Sequence, residues 1–232
     1  MYRDAIEGLE NVFETEIPRK SIILVTGTPG SLKSGFTYNF FSHYLKDSDE
    51  CGIYVTLEES TESHLRNMES LGIHIPDNLF ISDHTDIRKR FEDDRKMKPD
   101  LLKLIEGVVN FYVSEKKQKL TCFALDSLNA LYSMIDTSDL RIKMYHFFQF
   151  LRNHNLTSIM ISEIPEYGPN LQYHASEGFL VDGLIRMGEV ETQQDIMLYL
   201  QVKKMRAAVH SRKKHLIEVG RNGLMILGPI FD

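Results

Sequence analysis

An eight-residue stretch, Gly27-Thr28-Pro29-Gly30-Ser31-Leu32-Lys33-Ser34, constrains the fold of this chain more than any other. It follows the apolar run 22–25, which is typical of a buried β-strand, and it precedes residues 35–41, whose apolar positions begin a helical spacing. A glycine-rich turn between a strand and a helix presents backbone N–H groups and a helix N-terminus to an anion. We therefore predict a phosphate-binding loop in which Lys33 contacts the β- and γ-phosphates of a nucleotide and Ser34 ligates Mg²⁺.

The loop departs from the common pattern at one position. The pattern G-x-x-x-x-G-K-[ST] has Gly directly before the Lys, where this chain has Leu32. The backbone N–H group is still present, so the cradle can form, but the side chain must point away from the phosphates. We expect this position to affect catalytic geometry more than nucleotide binding. A nucleotide-binding scaffold without catalysis is therefore an alternative.

The rest of the chain alternates between strand-like and helix-like segments. Apolar runs predict strands at 52–57, 79–82, 120–125 and 157–161. Helical spacing and cap residues predict helices from the loop to residue 45 and at 60–70, 99–112 and 139–153, with a loop directly after residue 127. Closely spaced strands follow at 179–187, 196–203, 215–219 and 224–227, with Asn222-Gly223 as a hairpin signal.

This order predicts an α/β fold with a mostly parallel central sheet flanked by helices and antiparallel strands at its C-terminal edge. Residues 1–20 read as a lead-in, the charged segment 83–98 as a surface loop, and residues 164–177 as a long loop. The sequence has no internal repeat and no linker, so we interpret residues 1–232 as a single domain.

Composition argues against several classes of protein. The 232 residues carry a formal net charge of −6, which argues against a dominant nucleic-acid-binding surface. The polar N-terminus lacks the apolar centre of a signal peptide, and no apolar run approaches membrane-spanning length. The two cysteines, Cys51 and Cys122, are far apart and predict reduced thiols. We expect a cytoplasmic protein.

Three carboxylates follow predicted strands. Asp126 comes directly after the run 121–125 and could hold the Mg²⁺ shell opposite Ser34, although many strands end in Asp before a turn. Glu58 and Glu59 end another strand, where ligands of parallel sheets bind. A glutamate there could orient and deprotonate a water that attacks the γ-phosphate. Because side chains alternate along a strand, the two glutamates cannot face the nucleotide in the same way; they could also simply begin a solvated helix.

A cationic stretch, Lys203-Lys204-Met205-Arg206, lies at the end of another predicted strand, with His210 four residues beyond Arg206. Two interpretations stay open. The cations could form a solvated edge that blocks aggregation. They could also clamp a transferring phosphoryl group, which in multimers is often the group bound to a neighbouring subunit.

These motifs together resemble the RecA superfamily and, within it, the KaiC-like ATPases found widely in archaea, with the archaellum ATPase FlaH as a more distant relative. The segments that carry the resemblance are 17–34, 54–59, 125–127, 161–163, 177–183 and 204–210. The resemblance implies a RecA-like core that binds ATP with Mg²⁺ at the subunit interfaces of a hexameric ring. It also implies that Glu58 and Glu59 are paired catalytic glutamates, with Glu58 favoured as the base, and that residues 204–210 approach the nucleotide of the neighbouring subunit.

We therefore predict an ATP-binding, slowly ATP-hydrolysing protein that acts as an oligomeric nucleotide switch in signalling or regulation, with a protein partner that the sequence does not identify. A non-catalytic scaffold is one alternative. A DNA recombinase or other nucleic-acid motor is another, which the acidic charge disfavours. The predicted catalytic residues are Glu58, Glu59, Lys33, Lys204 and Arg206; the predicted metal ligands are Ser34 and Asp126; the predicted nucleotide contacts are Gly27, Thr28, Pro29, Gly30, Ser31, Leu32, Lys33, Ser34, Met205 and His210.

Overall fold

The computed structural model describes residues 1–87, 100–115, 119–164, 178–191 and 195–230. Within these residues, nine strands form one sheet. They are β1 (Ile22–Gly27), β2 (Glu50–Thr56), β3 (Leu79–Asp83), β4 (Lys119–Asp126), β5 (Thr157–Glu163), β6 (Gly183–Glu191), β7 (Ile196–Met205), β8 (His215–Gly220) and β9 (Gly223–Pro229). Their order across the sheet is β3-β2-β4-β5-β1-β6-β7-β8-β9.

The strands from β3 to β6 in this order are parallel, and those from β6 to β9 pair antiparallel. The predicted α/β class, with a mostly parallel sheet and antiparallel C-terminal strands, is confirmed. Every residue of β1 is buried, as expected for a central strand covered on both faces. β1, β2, β4 and β5 all end at one edge of the sheet, which we call the loop edge.

Helices cover both faces of the sheet. They are α1 (Lys33–Leu45), α2 (Thr61–Ser70), α3 (Leu101–Glu115), α4 (Leu128–Met134) and α5 (Leu140–Asn153). One apolar core includes side chains of α1, and the other includes side chains of α3, α4 and α5. None of the described helices is long and apolar enough to cross a membrane.

The loop predicted directly after residue 127 is wrong, because α4 occupies that position. The Ser127 side chain caps this helix by accepting a hydrogen bond from the Ala130 N–H group at 3.2 Å. Leu128 and Leu131 of this helix are buried. Seven residues give too few turns for a clear helical period, so the serine cap was the more informative signal.

The start of the strand predicted at residue 179 is also wrong, since β6 begins at Gly183. Phe179 is 71% exposed. The carbonyl groups of Gly178 and Val181 accept hydrogen bonds from the Lys204 ammonium group rather than from a neighbouring strand. Because the residues before Gly183 are apolar, the strand was predicted to begin too early in the chain. The predicted loops at 83–98 and 164–177 lie largely outside the described residues.

Residues 1–20, treated as a lead-in from the sequence, belong to the core. The segment forms an isolated bridge from Glu7 to Met225 and another from Phe13 to His210. The Tyr2 ring stacks on that of Tyr44 with their centroids 4.0 Å apart. Seven apolar side chains of the segment are at most 1% exposed: Tyr2, Ala5, Ile6, Leu9, Val12, Phe13 and Ile17.

Candidate nucleotide-binding site

The predicted phosphate loop lies between β1 and α1 at the loop edge. Gly27 ends β1 where a Cβ atom would approach the Met187 carbonyl oxygen to 2.3 Å, so only glycine fits there. Gly30 has a φ of 81°, a conformation that glycine adopts without strain. The turn is closed by the Ser31 hydroxyl, which donates to the Thr28 carbonyl at 2.7 Å. The loop therefore has the strand, turn and helix start that the sequence predicts.

Leu32 occupies the position before the loop lysine in a left-handed conformation, with φ 64° and ψ 24°. An L-residue in this region costs about 1–2 kcal/mol, which explains why glycine is common there. The Leu32 side chain is partly buried and packs against the core that includes Phe36 and Phe40. The backbone is thus strained at Leu32, while the Leu32 side chain gains apolar contacts.

Lys33 carries a buried positive charge into the site. Its side chain is 6% exposed, and its ammonium group donates to the Thr28 carbonyl at 2.7 Å. The carboxylate of Glu163, at the end of β5, lies 3.9 Å from it. Burial lowers the pKa of Lys33, and the nearby negative charges of Glu163, Asp126 and Glu58 oppose that shift. An anion bound in the loop would compensate this desolvated cation.

Ser34 and Asp126 meet across the loop edge. The Ser34 hydroxyl donates to the Asp126 carboxylate at 2.7 Å, and the Tyr54 phenol donates to the same oxygen at 2.6 Å. A hydroxyl and a carboxylate side by side are hard oxygen donors of the kind that Mg²⁺ accepts, together with water and substrate phosphates. The residues present therefore fit a magnesium ion bound with a nucleotide.

Glu58 and Glu59 lie beyond the end of β2 at Thr56, so the predicted alternation along a strand does not apply to them, yet their side chains make different contacts. The Glu58 carboxylate accepts a hydrogen bond from the Ser127 hydroxyl at 2.6 Å. The Glu59 carboxylate instead accepts from Ser63 at 3.0 Å and from Asn67 at 3.1 Å, both on α2. Glu58 is thus tied to the end of β4, and Glu59 to the neighbouring helix.

A cavity of about 360 Å³ lies in front of these groups. Its volume is within the usual range for a small-molecule site. Seven of the predicted residues line it: Gly30, Leu32, Lys33, Ser34, Glu58, Glu59 and Asp126.

The predicted cationic segment lies at the opposite edge of the sheet. Met205 pairs with Gly183, and Gly183 lies beside Ile23 at the start of β1. The Lys204 ammonium group donates to the Val181 carbonyl at 2.7 Å, and Arg206 lies 3.2 Å from the Asp182 carboxylate. Within one chain, these groups are separated from the phosphate loop by the length of β1.

Met205 and His210 make contacts inside their own chain. Met205 is 6% exposed and belongs to the apolar core, where its side chain packs on Gly183. His210 is partly buried, and its ring lies 6.1 Å from that of Phe13. The nucleotide contacts predicted for both residues stay predictions that concern a neighbouring subunit.

Sequence reasoning did not single out three side chains that support the site. Ser127 holds Glu58, Tyr54 holds Asp126, and the His64 ring borders the cavity and bonds Thr56 at 3.0 Å. Ser127 directly follows a predicted metal ligand, which is a usable signal. Tyr54 and His64 lie in apolar or helical stretches, where the sequence pattern alone indicates burial.

The fold and the loop together define a class: a RecA-like α/β domain with a P-loop nucleotide site. Comparison with known proteins gives the family. The model of the KaiC ATPase family matches residues 3–229, and the chain belongs to that family.

The relatives share the domain and differ in length. The chain is 29% identical to the circadian clock oscillator protein KaiC of Parasynechococcus marenigrum over 95% of its own length. It is 28% identical to KaiC of Prochlorococcus marinus strain MIT 9313, also over 95%. It spans 43% and 44% of these two relatives. A solved KaiC-like protein of Pyrococcus horikoshii matches with a TM-score of 0.76, 22% identity and 97% coverage of both chains, which shows a shared fold.

Proposed function

We propose that this chain binds ATP together with Mg²⁺ and hydrolyses it slowly to ADP and phosphate. The observation that carries the proposal is the contact at 2.7 Å between the Ser34 hydroxyl and the Asp126 carboxylate, beside the buried Lys33. A hydroxyl, a carboxylate and a lysine that converge behind a glycine-rich loop are the parts that P-loop proteins use for a metal-bound triphosphate.

Each part has a distinct task in this proposal. The loop N–H groups and Lys33 hold the phosphates, and Ser34 and Asp126 hold the cation. Bound Mg²⁺ would neutralise charge on the phosphate oxygens. Glu58 orients a water against the γ-phosphate and takes its proton. The Ser127 hydroxyl fixes the orientation of Glu58 by its hydrogen bond at 2.6 Å. Glu59, held by Ser63 and Asn67, supports the wall of the site.

We extend the proposal to a ring of subunits in the cytoplasm, hexameric by resemblance to the family, that acts as a nucleotide-dependent switch for a protein partner. The position of the cations supports this part. Lys204 and Arg206 lie at the sheet edge opposite the phosphate loop, so they can approach only a nucleotide held by another subunit. Met205 and His210 belong to the same segment and would approach the same nucleotide. The regulatory role rests on relatives that are described as clock oscillator proteins.

Nucleotide titration with and without Mg²⁺ tests the binding proposal. We expect saturable ATP binding by the wild type that strengthens with Mg²⁺, and a mass increase on addition of Mg-ATP that reports ring assembly. Lys33→Ala should lose most of the affinity while it keeps its fold, because only the phosphate-binding cation is removed. A wild type that binds no ATP under either condition would overturn the proposal.

A further inference from the structure

A buried cluster of three rings lies behind the candidate metal site. Tyr38 and Tyr54 stack with their centroids 3.9 Å apart and their planes 13° apart. The His64 ring lies 5.3 Å from that of Tyr54 and 5.4 Å from that of Tyr38. The three side chains are at most 2% exposed, and of the three only His64 borders the cavity. Rings packed in this way have little freedom to rotate or translate.

One phenol of the cluster points at the metal site. The Tyr54 hydroxyl donates to Asp126 Oδ2 at 2.6 Å, the oxygen that also accepts the Ser34 hydroxyl. A phenol is protonated at neutral pH, and an ionised carboxylate only accepts, so Tyr54 is the donor in this contact. The hydrogen bond is short, as expected when a hydroxyl donates to a charged carboxylate.

His64 secures the other side of the cluster. The Thr56 hydroxyl donates to the Glu59 carbonyl and therefore accepts from the Nε2–H group of His64, 3.0 Å away. Burial lowers the pKa of His64, which favours the neutral ring, and the bond to Thr56 places its proton on Nε2. The ring that borders Tyr54 is thus fixed to the end of β2.

We propose that Tyr54 is a positioning residue whose hydroxyl fixes the Asp126 carboxylate for the divalent cation, with Tyr38 and His64 holding its ring in place. A carboxylate that ligates a metal binds more tightly when a donor outside the coordination shell orients it. Tyr54 supplies that donor from a buried central strand. This inference rests on the proposed binding of Mg-ATP and assigns a further determinant of the affinity for the cation.

The test compares Tyr54→Phe with the wild type. Phenylalanine keeps the stacked ring and removes only the hydroxyl. We expect about a tenfold weaker affinity for Mn²⁺, a paramagnetic stand-in for Mg²⁺ whose free concentration is read by electron paramagnetic resonance, at saturating non-hydrolysable ATP analogue. The affinity for ATP in EDTA should be unchanged, because the Tyr54 hydroxyl donates to Asp126, a proposed ligand of the cation, and not to the groups that would hold the phosphates.

Tyr38→Phe is the matched control. It removes the hydroxyl of the stacked partner, which has no hydrogen-bond partner among the described residues. Its cation affinity should equal that of the wild type. The inference is overturned by an unchanged Mn²⁺ affinity in Tyr54→Phe, by an equal loss with and without the cation, or by failure of that variant to fold, which would assign the hydroxyl a structural role. A wild type whose ATP binding ignores the cation would overturn the proposed function as well.

Discussion

Leu32 shows how a single residue can depart from a motif without removing the site. The position requires a left-handed backbone, with φ 64°, and the chain fills it with a branched apolar residue. The side chain packs against the core and also borders the cavity in front of the loop. The left-handed backbone at this position therefore costs conformational energy, and part of that cost is offset by the apolar contact.

This view predicts an inverted order of stability at position 32. Alanine keeps the left-handed strain and loses the apolar contact, whereas glycine loses the contact and the strain together. We expect Leu32→Gly to be more stable than Leu32→Ala by about 1 kcal/mol, measured by urea unfolding without nucleotide. At an ordinary helical position alanine would be the more stable of the two. The interpretation fails if alanine is also the more stable residue here.

The sequence predicted the site residues whose place follows from the backbone. Lys33 and Ser34 open a helix after a glycine-rich turn, Asp126 ends β4, and Glu58 follows the end of β2, so their meeting at one edge of a parallel sheet follows from the fold class. Tyr54 could not be predicted in the same way. Its contact with Asp126 depends on the register between β2 and β4, which places Tyr54 beside Ala124 two residues before the pair of Thr56 with Asp126.

At the scale of elements, the segment before β1 contributes more than a lead-in would. Its apolar residues at positions 2, 5, 6, 9, 12 and 13 have a helical spacing that indicates a buried face, yet the structure forms only a 3₁₀ turn at Leu9–Asn11 there. In the structure it crosses the face covered by α1 and contacts β9 through the bridge from Glu7 to Met225. The apolar spacing therefore indicates the buried residues, but the packing partners, and the absence of a full helix in this described segment, depend on tertiary contacts.

Replacing Phe13 tests that role. Its side chain is fully buried, so Phe13→Ala should lower the free energy of unfolding by about 3–5 kcal/mol. Phe111→Ala is the matched control, because that side chain on α3 is 54% exposed and its loss should change stability by about 0.5 kcal/mol or less. Denaturant unfolding of both variants gives the comparison. Equal stabilities would show that the N-terminal segment is only loosely attached.

The weakness of local sequence patterns also explains the two misassigned elements. α4 is too short for periodicity, and the strand predicted from residue 179 included residues that are helical at 178–180. The hairpin predicted from Asn222-Gly223 is confirmed, because β8 and β9 pair antiparallel as a hairpin. Gly220 pairs with Gly223, so the turn itself is Arg221-Asn222, one residue earlier than that signal.

At the scale of the whole molecule, the sheet separates two sets of charged groups. The carboxylates and Lys33 lie at the loop edge, and Arg206 lies beyond the opposite end of β1. Neither set can complete the other inside one chain. Under the ring proposal, each nucleotide would be enclosed by the loop of one subunit and the cations of the next.

Mixing two inactive variants tests this arrangement. Glu58→Gln lacks the proposed base, and Arg206→Ala lacks the proposed partner cation; we expect each alone to release little phosphate from ATP. In mixed rings, some interfaces combine an intact Glu58 with an intact Arg206, so activity should return. Mixing either variant with a Glu58→Gln/Arg206→Ala double variant is the control, because it forms no intact interface. Activity that stays at the level of the separate variants after mixing would contradict a shared site.

The most direct test of the central claim is the rate of phosphate release by wild type, Glu58→Gln and Glu59→Gln in Mg-ATP. Glu58 is held toward Asp126 by Ser127, whereas Glu59 is held by α2. We predict slow but measurable release by the wild type, a loss of at least about 100-fold in Glu58→Gln with ATP binding retained, and a smaller loss in Glu59→Gln. No release by a wild type that binds Mg-ATP would identify a non-catalytic scaffold, and an unchanged rate in Glu58→Gln would contradict the assigned base.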